Sequence, residues 1–187
     1  MIIIWILLIA FLLVGFYLAA AYNSLVTFKT RTEEAWSDID VQLKRRYDLI
    51  PNLVNAVKGY AKHERELFEK VTQARAAAIS ADGIKEQEAA EGELVKSLRS
   101  VFAVAENYPE LKANQNFLAL QGELSETENK IEASRRFYNA NVRDFNIKVK
   151  VFPSNIIANA FKFPPKQLFE VEISQKEAIK NPPKVEV

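Results

Sequence analysis

The chain contains no cysteine, which excludes disulfides, thiolate zinc sites and a thiolate nucleophile. Its one histidine is His63, and the residue three positions earlier is Tyr60. The Glu-x-x-His pairs that bind metals in helical bundles are therefore absent. All five glycines are isolated from one another, so there is no glycine-rich phosphate loop. The sequence predicts no cofactor, no metal site and no catalytic residue, and hence no enzyme.

The net charge is also close to zero, and proline is rare before residue 109. The 25 Lys and Arg against 24 Asp and Glu leave a net charge of +1, which argues against a nucleic-acid partner. Of the seven prolines, six lie at or after residue 109. Because proline interrupts helices, the stretch 51–108 is predicted to be almost continuously helical.

Residues 2–21 carry no charge. At about 1.5 Å per residue this run spans about 30 Å, the thickness of a bilayer's hydrocarbon core. A cleaved signal peptide is the alternative, since small residues follow Leu18. However, no Lys or Arg precedes the run, and it exceeds the usual core of about 7–15 residues. We predict an uncleaved single-pass anchor whose partner is the lipid bilayer of the inner cell membrane.

The flanking charges predict the orientation of this anchor. No Lys or Arg precedes the apolar run, whereas Lys29 and Arg31 follow it. Positively charged flanks stay on the cytoplasmic side. We therefore expect the N-terminus outside and the rest of the chain in the cytoplasm.

Apolar periodicity predicts four helices beyond the anchor. Trp36, Ile39, Leu43, Tyr47 and Ile50 recur at steps of three and four on one helix face. This first helix continues the anchor without a linker and ends near Ile50, and Pro51 opens a second helix running back. We expect helices at roughly 51–81, 84–107 and 110–149, separated by turns at 80–83 and 107–110.

The predicted fold class is all-α, with an N-terminal transmembrane helix continuous with an antiparallel up-and-down four-helix bundle of coiled-coil-like packing. The predicted domains are an anchor over 1–22, the bundle over 23–150, and an apolar segment with a C-terminal tail over 151–187.

Polar residues interrupt the apolar stripes of three of these helices. They are Asp40 and Arg46 on helix one, Glu64 and Arg75 on helix two, and Gln121, Glu128 and Arg135 on helix four. Positions along the helices can be compared by counting residues from the predicted turns at Pro51 and Pro109. On this count Asp40, Glu64 and Gln121 lie at similar distances from the turns. Arg75 and Arg135 also lie at similar distances, with Glu128 about two turns higher. Because a lone buried charge costs several kcal/mol, we expect interhelical Arg–carboxylate and Gln layers that fix register.

The segment 152–165 is apolar, with prolines near both ends. It has three possible environments: the bilayer surface, a neighbouring subunit, or the bundle's own core. The tail 166–187 is predicted to be irregular.

Several motifs resemble the bacterial LemA family. They are Tyr22–Val26, Ala35–Arg46, Asp48–Val54, Tyr60–Glu64, Thr127–Ile131, Arg135–Asn139 and Phe152–Asn155. Lys130 and Phe137 stand where the family pattern commonly has Arg and Tyr. The resemblance implies a membrane anchor with a cytoplasmic four-helix bundle, and it supplies no catalytic residue. It places Asp40, Arg45, Asp48, Asn52, Glu128, Asn129 and Arg135 at motif positions, beside the structural residues Trp36 and Pro51.

The function we expect is a non-enzymatic, membrane-anchored helical scaffold that forms a homo-oligomer. One alternative is an adaptor for an envelope protease, a channel or another membrane protein. A further alternative is an enzyme that uses Glu64 and Glu128 with Arg75 and Arg135 on a lipid or peptide.

Overall fold

The computed structural model describes residues 1–61 and 63–170, and these residues contain no strand. Six helices follow one another: α1 (Ile2–Lys58), α2 (Arg65–Ser80), α3 (Ile84–Ala105), α4 (Pro109–Lys112), α5 (Gln115–Lys150) and α6 (Ser154–Ala160). The all-α prediction is confirmed, as is the continuity of the apolar N-terminal helix with the helix that follows it. The antiparallel four-helix bundle remains a prediction.

α1 is long and apolar enough at its N-terminal end to cross a membrane, and its most apolar stretch is fully exposed. The side chains at this end, among them Ile3, Phe11 and Phe16, remain mostly exposed in the described part of the chain. A stretch of this kind needs an apolar surrounding. α1 is therefore a candidate membrane span.

The predicted corner at Pro51 is wrong, because α1 continues through Pro51 to Lys58. The chain turns instead between α1 and α2, so the second helix begins at Arg65 rather than near residue 51. A proline inside a helix costs about 3 kcal/mol. The continued apolar stripe offsets this cost, because Leu53, Val54 and Val57 after the proline are all buried.

A contact from α2 compensates for the donor that Pro51 lacks. In a regular helix the N–H of residue 51 would bond the carbonyl of Tyr47. The Nε of Arg75 donates to that carbonyl oxygen at 2.7 Å. The defect in α1 is thereby satisfied by a side chain 28 residues away in sequence.

The other breaks follow local chemistry. Gly83 takes a φ of 82° before α3, a conformation that glycine adopts without strain. Pro109 lies in the first turn of α4, where its missing N–H is harmless. The single helix predicted over 110–149 is divided at Asn114, whose Oδ1 accepts from the Phe117 N–H at 3.1 Å and so caps α5.

The chain divides into two compact units, and α1 and α5 contribute to both. The first comprises residues 1–39 and 134–168. The second comprises residues 40–133 with Phe169 and Glu170. The predicted domain boundaries at 22 and 150 stay a prediction. The predicted irregular tail falls, from residue 171 onward, outside the described residues.

The first unit has a small core that contains α6. Leu25, Phe145 and Val149 pack with Ile157 and Ala158 of α6. Of the three environments considered for residues 152–165, this contact matches packing on the protein's own core. It occupies one face of α6 only.

The compensation at Pro51 predicts a coupled pair of mutations. Arg75→Met should destabilise the protein by about 1–3 kcal/mol, because the Tyr47 carbonyl loses a charged donor. In a Pro51→Ala background the same change should cost less, because residue 51 then supplies the helical N–H. Urea unfolding of the full-length protein in detergent measures both, and equal costs in the two backgrounds would contradict the assignment.

Candidate functional site

A polar cluster lies inside the second unit and joins three long helices. We call it the Arg46 cluster, and its members are Arg46, Tyr47, Gln87, Glu91 and Glu128. Arg46 and Tyr47 follow the apolar position Leu43 by one helical turn, so α1 carries them inward. Glu91 precedes the buried Leu94 by one turn on α3, and Glu128 comes from α5. The same periodicity that builds the core therefore also buries these charges.

Arg46 is the centre of the cluster, and only 2% of it is exposed. One terminal nitrogen pairs with the carboxylate of Glu91, whose side chain is equally buried. The other donates to Glu128 Oε2 at 2.5 Å. The Glu128 side chain is 49% exposed, so the cluster reaches solvent at Glu128. The planar guanidinium fork suits this double engagement.

Tyr47 and Gln87 complete the bonding around Glu91. The Tyr47 hydroxyl donates to Glu91 Oε1. Gln87 Nε2 lies 2.9 Å from the Tyr47 hydroxyl and 2.8 Å from Glu91 Oε1. It also lies 3.2 Å from the carbonyl oxygen of Ala78, in the last turn of α2, where helix carbonyls need outside donors. Burial raises the pKa of the Tyr47 hydroxyl above its ordinary 10.0, against the opposing effect of Arg46.

The residues of this cluster form ion pairs and hydrogen bonds between helices. Its two most buried charges bond each other, and its hydroxyl and amide bond the same carboxylate. Among the side chains of residues 1–61 and 63–170, no three potential metal ligands converge. The arrangement links α1, α3 and α5 through one set of side chains.

The structure distributes the other predicted site residues widely. Arg75 bonds the Tyr47 backbone, and Glu64 lies at the start of α2. Trp36 packs its ring 5.3 Å from that of Tyr138. Arg135 is half-buried, and both it and Trp36 belong to the first unit. The remaining residues are exposed on α1 or α5: Asp40, Arg45, Asp48, Pro51, Asn52, Gln121 and Asn129.

Sequence reasoning missed Glu91 and Gln87, which the structure puts beside Arg46 and Tyr47. The periodicity of the α3 sequence could have identified both residues. The apolar stripe of α3 runs through Leu94, Leu98 and Val101, and extending it backwards by one and two turns reaches Glu91 and Gln87. An Arg–carboxylate contact between helices is present, and it joins Arg46 of α1 to the predicted residue Glu128 of α5 and to the missed residue Glu91 of α3.

The buried pair predicts an asymmetric mutational response. Arg46→Met should cost about 3–5 kcal/mol of unfolding free energy, because it leaves the Glu91 carboxylate buried without its cation. The Arg46→Met/Glu91→Leu double variant should recover much of this loss. Glu128→Gln, where the cluster reaches solvent, is the matched control and should cost far less. Urea unfolding in detergent measures all three, and similar costs for Arg46→Met and Glu128→Gln would contradict the assignment.

Tyr47 predicts a dependence on alkaline pH. Its folded pKa is raised, so the folded state keeps the proton above the ordinary value, where the unfolded chain releases it. Stability is therefore full below about pH 10 and falls as pH rises towards the folded pKa. Tyr47→Phe should flatten this fall in unfolding free energy measured between pH 9 and 11. An unchanged alkaline slope in the variant would show that Tyr47 does not contribute to it.

Comparison with known proteins identifies relatives of the chain. Residues 35–186 match the LemA family. The chain is similar to Protein LemA of Metamycoplasma hominis, with 29% identity over 84% of this chain and 70% of that protein. It is also similar to magnetosome protein MamQ 2 of Paramagnetospirillum magneticum, with 25% identity over 73% of this chain and 60% of the relative. The MamQ protein of Magnetospirillum gryphiswaldense shows 23% identity over the same shares.

These matches cover most of the chain, including α1 from Ala35 and the residues of the Arg46 cluster. The chain belongs to the LemA family.

Proposed function

We propose that the protein is a non-enzymatic, membrane-anchored helical scaffold that self-associates in the inner cell membrane. The observation that carries this proposal is the unbroken α1, which joins the apolar stretch to Arg46 in one helix. A candidate membrane span followed by helices that pack on one another is what a membrane-anchored scaffold requires.

The absence of enzymatic activity is supported by the state of the charged side chains. Arg46 and Glu91 are almost fully buried and bond each other, so they offer no surface to a substrate. Structural ion pairs of this kind stabilise helix register without chemistry. Of the four residues of the enzyme alternative, Arg75 bonds the Tyr47 carbonyl and Glu128 bonds Arg46.

Self-association is supported by large apolar side chains that the second unit leaves exposed. Val41 is 59% exposed, Ile79 is 52% exposed and Leu118 is 48% exposed. Contact between copies of the chain would remove this apolar area from water. Light scattering of the detergent-solubilised full-length protein should give a mass of several copies, and a clean monomer would contradict self-association.

A second candidate function, an adaptor for an envelope protease or other membrane protein, is supported by one face of α1. Val41, Arg45, Asp48 and Asn52 fall within about 60° of one another around the helix axis and are all exposed. Three of them are motif residues that the core does not use. Loss of a co-purifying membrane protein on Arg45→Glu, with no loss on the exposed Lys112→Glu control, would favour the adaptor.

The proposed orientation places the second unit in the cytoplasm, since Lys29 and Arg31 follow the apolar stretch. The chain lacks cysteine, so Ser125→Cys on exposed α5 provides a single thiol. A membrane-impermeant maleimide should label it only after cells are opened. A cysteine inserted after Met1 is the matched control and should be labelled in intact cells. Labelling of Ser125→Cys in intact cells would overturn the orientation.

A further inference from the structure

The short helix α6 has an apolar face that its own unit does not cover. Ile157 and Ala158 are buried in the core of the first unit. Away from this core, Ile156 of α6 is 59% exposed, and Phe152, in the turn that leads into α6, is 79% exposed. Large apolar side chains exposed close together along the chain are typical of an interaction surface.

Contacts within the first unit place this face at the end of the candidate membrane span. The Trp36 ring meets Tyr138, and the Phe28 ring meets the Lys148 ammonium. Moving back eight residues on α1 thus moves the contact forward ten residues on α5, which shows antiparallel packing. If this antiparallel packing is continued, the start of α6 lies beside residues 22–25 of α1.

Aromatic contacts confirm this position. The ring of Tyr22 lies 4.8 Å from that of Phe161 and 5.9 Å from that of Phe163, measured between centroids. Tyr22 directly follows the uncharged run 2–21. In a bilayer spanned by that run, residues 22–25 fall within about 6 Å of the hydrocarbon edge. This is the zone of headgroups, where tyrosine and amphipathic helices reside.

The charge around α6 is predominantly basic. Residues 22–33 and 145–169 contain six basic residues and one acidic residue, Glu33. Glu33 pairs with Lys29 and Lys166, and the other four basic residues form a basic collar: Arg31, Lys148, Lys150 and Lys162. A basic collar with exposed apolar side chains is complementary to an anionic lipid surface.

A groove of about 550 Å³ lies beside α6 within this collar. Lys150 and Lys162 line it, together with Asn155 and Phe163. The groove thus offers two basic side chains to a phosphate.

Lys162 occupies this position at a conformational cost. Its φ is 56°, the left-handed conformation that usually selects glycine. The N–H groups of Phe163 and Lys162 bond the carbonyls of Ala158 and Asn159, at 2.8 Å and 3.3 Å, as at a helix end closed by a Schellman motif. Glycine would satisfy that motif better, so the backbone does not explain the lysine.

We propose that α6 is an interfacial helix and that the groove beside it binds the headgroup of an anionic phospholipid. Lys150 and Lys162 bind the phosphate. Phe152 and Ile156 enter the acyl boundary. The inference rests on the proposed membrane anchor and adds the lipid class that the anchored protein recognises.

Depth-dependent quenching tests where α6 lies. Three single-cysteine variants of the full-length protein, Phe11→Cys, Ile156→Cys and Ser125→Cys, carry a fluorophore in liposomes with nitroxide lipids. Ile156→Cys should be quenched by shallow nitroxides and Ser125→Cys by none. An unquenched Phe11→Cys would refute the membrane anchor itself. Quenching at Phe11→Cys without quenching at Ile156→Cys would refute only the placement of α6.

Lipid selectivity tests the groove. At Ile156→Cys, nitroxide-labelled phosphatidylglycerol should quench more than labelled phosphatidylcholine at equal mole fraction. Lys150→Gln and Lys162→Gly should each reduce the preference by about fivefold, the effect of one basic residue at an anionic surface. Lys112→Gln, on α4, should leave it unchanged.

Lys162→Gly separates charge from folding, because glycine relieves the left-handed backbone and should keep or raise the unfolding midpoint. A loss of lipid preference without a loss of stability supports the proposal. Equal quenching by the two lipids in the parent protein would overturn the headgroup site. So would a preference that survives both lysine substitutions.

Discussion

The second unit depends on the buried pair of Arg46 and Glu91. Removing two charges from water costs several kcal/mol for each ion, and only close pairing with further hydrogen bonds offsets that cost. Apolar stripes alone tolerate a shift of one helix along another, because one aliphatic side chain replaces its neighbour at modest cost. The guanidinium does not tolerate it, since its two terminal nitrogens must reach carboxylates on α3 and α5 together. The pair therefore favours the alignment in which Arg46 meets Glu91 and Glu128 together.

Pro51 shows how a local preference is overruled. Its ring and missing N–H favour a helix start, yet α1 passes through it. Three buried apolar residues continue the stripe beyond it, and Arg75 supplies the donor that the Tyr47 carbonyl loses. Arg75 thus acts on the backbone of α1, whereas periodicity predicts a partner among the carboxylates. In the described part of the second unit, polar side chains thus link helices through carbonyl groups as well as through carboxylates.

Periodicity and turn chemistry predict much of the fold, because these signals are local. The uncharged run, the bounds of α3, the turn at Gly83 and the helix start at Pro109 all follow from neighbouring residues. The passage of α1 through Pro51 does not, since the compensating Arg75 lies on another helix. The Arg46 cluster is intermediate. Its charges can be identified because they lie in apolar stripes. The partner of Arg46, however, depends on how neighbouring helices are aligned, and that alignment is wrong when the turn after α1 is placed at Pro51. Positions counted from Pro51 therefore favour Asp40, Glu64 and Gln121 over Glu91.

In the first unit, features with separate ordinary explanations coincide at one level of α1. An exposed aromatic residue, a basic collar and a lysine in a left-handed conformation are each unremarkable alone. The antiparallel contacts of α1 with α5 bring them together beside Tyr22, directly after the apolar residues 2–21. Packing accounts for Ile157 and Ala158, which are buried, but it gives no reason for the exposed Phe152 or for a lysine where glycine fits better. A headgroup layer at that level accounts for the apolar side chains, the sign of the charge and the retained Lys162 by one cause.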